Sequence, residues 1–202
     1  LLCEGASMDQ IDKASTKFGM PMGPIALHDL VGTDVALSAG QVVATAYSDR
    51  AEMCPLLQDI VQSGRLGKKA SKGFRQYVGP KGKPADDPEF AAFLERHRTG
   101  TREFSQDEIT ERLFLPMLLE ATRTLEDGIV SEPAHVDLAL LLGIGFPAFR
   151  GGILHWCDAE GPDAILKKLE KYTDLGKRFE ATDSLKQMAS GGERYFSLSK
   201  AG

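Results

Sequence analysis

Two short stretches constrain this chain more than anything else in it. KFGMPMGP, residues 17 to 24, and GIGFPAFRGG, residues 143 to 152, each set a glycine, a large apolar residue and a proline in that order, with glycine again shortly after. Proline presets φ and glycine permits positive φ, so each stretch reads as a tight turn between helices. The likeness extends to both sides. Gly5 aligns with Gly128, Ile11-Asp12 with Val136-Asp137, Ala14 with Ala139, Gly19 with Gly145, Pro21 with Pro147 and Asp29 with Asp158. The offset drifts from 123 residues at Gly5 to 129 at Asp29, as small loop insertions would cause. A shared order of this length marks an internal repeat, one supersecondary design used twice.

The segments between these markers carry helical signals. Ser7 and Gln10 form a capping box ahead of Met8, Ile11, Ala14 and Phe18, and Gly19 ends that run. A second helix is expected from Thr33 or Asp34 to about Ser48, and a third from Pro55 to just before Gly64. Residues 67 to 84 are rich in glycine, lysine and proline and read as loop, with FRQYV a short extended segment and GPKG a turn. A short helix is expected from about Glu89 to Arg98. Ser105 and Glu108 repeat the capping box and open a helix of about twenty residues that Pro116 should kink. Further helices are expected after Ser131, after Pro162 and over TDSLKQMASGG. Almost nothing alternates with period two. The expected fold class is all-α: a first copy at 1–84, a connector at 85–104 and a second copy at 105–202.

Composition narrows the setting. The chain has 202 residues, 42% of them hydrophobic and 26% charged, and no apolar run approaches the ~18 residues a membrane span needs. Cys3, Cys54 and Cys157 are an odd number without Cys-x-x-Cys spacing, which argues against a disulfide framework and against a zinc or other metal site. They read as reduced, buried thiols of a cytoplasmic protein. The net charge of −5 conceals a basic island: Arg65, Lys68, Lys69, Lys72, Arg75, Lys81 and Lys83 fall between Ile60 and Ala85 with no acid among them. Nucleic acid calls for a basic domain or face, so a small polyanion such as a phosphorylated cofactor suits the island better.

The copies differ at their starts. The second has its long helix ahead of Asp127-Gly128, whereas the first has only Leu1-Leu2-Cys3 ahead of Glu4-Gly5. An amphipathic helix missing from a bundle exposes apolar surface. The first copy therefore reads as lacking about twenty residues of a leading helix, and the chain as a piece of a larger protein.

Three blocks carry a family resemblance: FGMPMGPIALHDLVGTD, GRLGKKASKGFRQY, and ERLFLPMLLEATRTLEDGIVSEPAHVDLALLLGIGFPAFRGGILHWCD. In that order they resemble the C-terminal region of 3-hydroxyacyl-CoA dehydrogenases, and the doubled copy is similar to the multifunctional fatty-acid β-oxidation enzymes that join enoyl-CoA hydratase to the dehydrogenase. The resemblance implies an upstream Rossmann domain that binds NAD and holds a catalytic His–Glu pair. It also implies helical C-terminal domains that close the cleft over the acyl-CoA, the second copy replacing a dimer partner. Such enzymes suggest a thiolase subunit as a further partner. No Gly-x-Gly-x-x-Gly strand–helix unit lies in this chain, and none of its four histidines matches the catalytic one. The family's substrate-positioning Asn would fall upstream of Leu1. Its counterpart in the second copy is Glu111, which makes that copy a scaffold.

Two residues carry over. In the family's Gly-Lys-Lys-x-x-x-Gly-Phe loop the second lysine contacts NAD, which here is Lys69; a lysine on a glycine-flanked loop can reach a pyrophosphate or ribose as a point charge. The plainer reading is a solvated lysine. Lys68 and Lys72 are weaker candidates for the same cofactor or for CoA phosphates. Some multifunctional members place a substrate-contacting Tyr where this chain has Leu142, which could line an acyl or pantetheine channel or simply join the core. His28 beside Asp29 does not read as an acid–base pair, because neighbours on a helix point about 100° apart. Phe146, Phe149 and Trp156 are expected to anchor packing between the copies. Beside the dehydrogenase reading stand two others, a non-catalytic helical scaffold or dimerisation module and an acyl-CoA-binding module.

Overall fold

The computed structural model describes residues 1–79, 82–85 and 87–196. Among these the elements are α1 Met8–Phe18, α2 Pro24–Val31, α3 Thr33–Ala46, α4 Pro55–Gln62, β1 Gln76–Val78, β2 Lys83–Ala85, α5 Pro88–Glu95, α6 Gln106–Glu126, α7 Pro133–Ile144, α8 Ile153–Glu160, α9 Pro162–Glu170 and α10 Asp183–Gly191, with short 3-10 turns between some of them. The fold is all-α apart from β1 and β2, which pair antiparallel with Gln76 opposite Ala85 and Val78 opposite Lys83. Of the GPKG turn that joins them, Pro80 and Lys81 lie outside the described residues.

The capping chemistry explains which helices were legible. Ser7 and Gln10 close their box at the start of α1, each bonding the other's backbone N–H. Ser105 Oγ accepts from Glu108 N at the start of α6, and that helix then runs unbroken through Pro116. Ser131 does not cap α7: its N-cap is Glu132, without a side-chain bond, and Pro133 occupies the first turn where no N–H is required.

α2 and α8 carry no local cap in the sequence. Their first N–H groups are met from a distance. Asp12 Oδ1 accepts from Ile25 N at 2.9 Å and Ala26 N at 3.5 Å, and the Asp137 carboxylate accepts from Leu154 N at 2.8 Å and His155 N at 3.0 Å. The two copies thus use one device, a carboxylate on the preceding helix aimed at the next helix's positive end. Glycine is required where the carboxylate passes: a Cβ on Gly23 would lie 2.2 Å from Asp12 Oδ1, and one on Gly152 only 2.0 Å from Asp137 Cγ. Burial raises the pKa of Asp137, against the lowering effect of its two backbone partners.

The chain divides into two compact units. The first comprises Leu1–Lys17 and Met22–Ile109, the second Phe18–Pro21 and everything from Thr110 on. Ile11, Ile25, Leu56, Ile60, Phe74 and Phe90 are among the buried residues of the first. Residues 85–104, the connector of the sequence reading, contribute Phe90 and Phe93 to that interior, and Asp87 caps α5 by accepting from Glu89 N and Phe90 N.

The core of the second unit gathers α6 (Phe114, Leu115, Leu118, Leu119), α8 (Ile153, Leu154, Trp156, Cys157), α9 (Ile165, Leu169), Phe146 and Tyr172. It also contains Phe18. That ring stacks on Phe114 at 3.7 Å between centroids and meets Phe146 and Trp156 edge-on, while Arg150 Nε donates to Phe18 O at 2.8 Å. Here the doubled turn finds its reason. A Cβ on Gly19 would stand 2.7 Å from Pro147 Cγ, and one on Gly145 would stand 3.1 Å from Pro21 Cγ. The glycine of each turn makes room for the proline of the other. Phe146 and Trp156 lie in the core of the second unit, and Phe149 does not: the 3-10 turn Ala148–Arg150 leaves it exposed, with the Arg150 guanidinium 5.2 Å from its ring centroid.

Replacing Asp29, which is fully buried and serves as the counterpart of Asp158, tests how far the first unit depends on such carboxylates. Asp29→Ala would strip three donors of their acceptor and should destabilise this unit by about 4 kcal/mol. Urea unfolding followed by circular dichroism checks this, and an unchanged first transition would refute it.

Candidate functional site

The segment with most to offer chemically is the lysine-rich loop after α4. Its shape is set by Asp29, at the C-terminal part of α2. One Asp29 oxygen accepts from Phe74 N at 2.7 Å; the other accepts from Arg75 N at 2.9 Å and from the Tyr77 hydroxyl at 2.8 Å. Burial, and then the hydrogen bond to Asp29, push the Tyr77 hydroxyl's pKa well up, so it stays a donor. Two glycines let the loop lie against this carboxylate: a Cβ on Gly67 would fall 2.4 Å from Asp29 O, and one on Gly73 1.9 Å from Asp29 Oδ1. Gly67 N donates to Lys72 O at 2.7 Å and closes the loop's base. Lys68, Lys69 and Ala70 form a 3-10 turn, ended by Ser71 at φ 57°.

On this frame Lys69 points outward. It is half exposed, and its Nζ lies 2.6 and 2.7 Å from the two carboxylate oxygens of Asp34, in the first turn of α3. The hydrogen bond from Lys69 is the main reason the Asp34 carboxyl is held below its usual range. Lys68 sits over the Tyr77 ring, 5.5 Å from its centroid. Three other cations of the island are paired with acids of the same unit. Lys72 pairs with Glu89 at 2.8 Å, and Arg75 pairs with Asp9 at 2.8 Å and Asp12 at 2.9 Å. Arg65 is buried, donates to Gly73 O at 2.8 Å and pairs with Asp87 and Glu89. The island is therefore basic in sequence and largely neutralised in space, by acids drawn from α1, α3 and α5. Lys81 lies outside the described residues.

Leu142 belongs to the second unit, on α7, and its side chain is 79% exposed. It does not join the core. Leu138, one turn earlier, is exposed as well, which leaves an apolar strip along that helix. Glu111 is occupied structurally: it accepts from Lys171 Nζ at 3.1 Å and from the Tyr172 hydroxyl.

His28 and His155 are architectural. His28 Nδ1 donates to Pro24 O at 2.7 Å, and His155 packs against Phe196. Cys3, Cys54 and Cys157 are all free; Cys54 is exposed, contrary to expectation, because it precedes α4 in a surface turn, whereas burial pushes the Cys157 thiol up to about 12. A cavity of about 780 Å³ in the first unit lies among Leu2, Met8, Phe74, Phe90 and Leu94, beside Arg75, and Lys69 does not line it. The residues that sequence reasoning missed are Asp29 as organiser of the loop and Asp34 as the partner of Lys69. Asp34 was visible only as a helix cap, and nothing local in the sequence links it to a lysine 35 positions on.

The family described as the 3-hydroxyacyl-CoA dehydrogenase C-terminal domain matches residues 1–77 and again residues 109–195, once for each copy of the repeat. The chain belongs to that family. It is 38% identical over 204 residues to the fatty acid oxidation complex subunit alpha of Psychrobacter sp. (strain PRwf-1), and 38% identical over 201 residues to the subunit of the same name from Pseudomonas aeruginosa PAO1. Each match takes in 97% of this chain and 28% of the relative, so the chain spans little more than a quarter of their length. Among solved structures it is similar to 3-hydroxybutyryl-CoA dehydrogenase from Escherichia coli K12, with a TM-score of 0.71, 22% identity, and coverage of 93% of this chain and 56% of that one. It is also similar to the dehydrogenase part of multifunctional enzyme 1 from C. elegans, with a TM-score of 0.69, 25% identity, and coverage of 93% and 43%. Among the described residues no helix is long and apolar enough to cross a membrane.

The structural role of Glu111 is open to test. Glu111→Ala should cost the second unit about 2 kcal/mol by removing the acceptor for the Tyr172 hydroxyl. Thermal unfolding measures it, and a loss below about 0.5 kcal/mol, the level of an ordinary surface substitution, would show the contact to be idle.

Proposed function

We propose that this chain is the C-terminal part of an NAD-dependent 3-hydroxyacyl-CoA dehydrogenase of fatty-acid β-oxidation, which converts 3-hydroxyacyl-CoA and NAD into 3-ketoacyl-CoA and NADH. The observation that carries the reading is the doubled family match within a chain that covers 28% of the multifunctional alpha subunits at 38% identity. In this reading the cofactor's Rossmann domain, the catalytic His–Glu pair and a hydratase domain belong to the rest of the polypeptide. The part described here closes the acyl-CoA cleft, and its second copy stands in for a dimer partner. A thiolase subunit is a further partner, and the enzyme is cytoplasmic.

Lys69 is the residue of this chain assigned to NAD. Its ammonium is half exposed on a loop that Asp29 fixes, and Asp34 holds it with a carboxylate that is itself partly open to solvent. Such a lysine can exchange one oxygen partner for a phosphate or ribose oxygen without moving its backbone. Bound NAD supplies the hydride acceptor; this chain supplies a positive charge at its edge. Leu142 is the substrate-side candidate. Its exposure suits a residue that lines an acyl or pantetheine channel better than one of the core. Glu111 is spent on Lys171 and Tyr172, which supports a scaffolding part for the second copy.

The acyl-CoA-binding alternative drew on the whole basic island, and the pairing of Arg65 and Arg75 with acids of the same unit counts against it. The stand-alone scaffold would need the apolar surface of α2 and α3 to be covered, and much of that surface is bare.

In the full-length enzyme, Lys69→Ala should raise KM for NAD about 5-fold, the loss of roughly 1 kcal/mol of charge-assisted bonding, with kcat little changed. The 202-residue chain alone should not oxidise NADH with acetoacetyl-CoA. Turnover by the isolated chain, or an unchanged KM in the variant, would defeat the corresponding part of the reading.

A further inference from the structure

Asp29 is not the only residue that holds the lysine loop. The entry to α3, Gly32-Thr33-Asp34, grips it as well. Thr33 is fully buried, and its hydroxyl donates to Arg65 O at 2.6 Å, which ties down the chain as it enters the loop. Asp34 takes the Lys69 ammonium on both carboxylate oxygens, at 2.6 and 2.7 Å. Gly32 leaves room for that pair: a Cβ there would stand 2.7 Å from Asp34 Oδ1 and 3.1 Å from Lys69 Nζ.

The second copy shows what such a helix start needs for its own sake. Gly161 precedes α9 with nearly the backbone that Gly32 has before α3 (φ 94°, ψ 125° against φ 109°, ψ 129°), and Asp163 stands in the first turn as Asp34 does. In both copies a carboxylate there answers the positive end of its own helix. Asp163 is exposed, and among the described residues its cation is Lys167, four positions on in the same helix and 3.9 Å away. α9 therefore begins without any grip on a loop lysine. The bond from Asp34 to Lys69 is more than the start of a helix requires.

We propose that Asp34 is a positioning residue for NAD: it holds the Lys69 ammonium in place before the cofactor arrives and keeps an oxygen on it afterwards. The inference rests on the assignment of Lys69 to NAD, to which it adds the group that aims the lysine. The loop's backbone is pinned at Arg65, across Gly67 and Lys72, and at Phe74 and Arg75. What stays loose is the four-carbon stem of Lys69, and Asp34 removes that freedom in advance of binding. An ammonium has three N–H groups. Two meet the carboxylate, and the third is left for a ligand oxygen, so Asp34 need not let go. Its negative charge costs an anionic ligand little, because both ends of the pair are open to water, which screens charge but not position.

The test is a double-mutant cycle in the full-length enzyme: Asp34→Ala, Lys69→Ala and the two together, with Kd for NADH read from its fluorescence and KM for NAD from turnover. Asp34→Ala should weaken NADH binding about 3-fold and raise KM for NAD to match, with kcat little changed, and should do nothing further once Lys69 is alanine. Asp34→Asn keeps an acceptor oxygen and the shape of the side chain, so it should lie between Asp34→Ala and the wild type. Asp163→Ala removes the first-turn carboxylate of the second copy and should leave both constants unchanged, which separates a lost hold from a weakened helix start. Tighter NADH binding by Asp34→Ala would reveal a brake instead of a hold and overturn the proposal. So would an unchanged Kd in Asp34→Ala beside a Lys69→Ala that loses affinity, or the same loss from Asp34→Ala with and without Lys69. All three leave the assignment of Lys69 standing. If Lys69→Ala binds NADH as the wild type does, that assignment has failed, and the positioning role falls with it.

Discussion

Everything else in this structure depends on four carboxylates, each answering backbone N–H groups that the chain leaves open elsewhere. Asp12 and Asp137 cap α2 and α8 from the preceding helix; Asp29 and Asp158 accept from Phe74 and Arg75, and from Tyr195 and Phe196. Short helices of eight residues are poor in isolation, because nucleation fixes several residues for one hydrogen bond. A charged acceptor held in place by α1 or α7 offsets that cost and also fixes the angle at which the next helix leaves. The glycines at 23, 73 and 152 follow from this arrangement, since any Cβ there would occupy the carboxylate's own space.

The same constraint explains what the sequence disclosed and what it withheld. Helices with a cap beside them, such as α1 with Ser7 and α6 with Ser105, were legible to within a residue or two. α2 and α8 were not, because their caps stand 13 and 17 residues upstream and no local pattern announces them. The repeat itself was legible, since its markers are the residues that perform these tasks. The packing of Phe18 into the second unit was not, because a phenylalanine at the end of an amphipathic helix does not state which core it enters. Leu142 shows the complementary limit: α7 is apolar on most of its surface, and such a pattern cannot say which face is covered.

At the candidate site the distinction lies between charge in sequence and charge in space. Seven cations in a row suggested an open anion site. Folding brings Asp9, Asp12, Asp34, Asp87 and Glu89 against them, so most of that charge is spent in holding the loop to α1, α3 and α5. Lys69 differs from Arg65 because its pair is exposed at both ends, where an ion pair contributes little and exchanges readily. Arg65 is buried with Asp87 and could not leave it without stranding unpaired buried charge. Fixed arginines beside exchangeable lysines, Lys69 and Lys72, let a loop keep its shape and still leave charge at its surface.

The two copies also diverge where such a division of labour would require it. In the second, the residue of α6 that faces α9 is a carboxylate gripped by Lys171 and the Tyr172 hydroxyl, and the neighbourhood is closed. In the first, α3 instead presents Val42 and Val43, both exposed. The copy with the polar lock keeps the apolar cluster around Phe18, Phe114 and Trp156 in place, and with it the pair of turns on which the repeat is built.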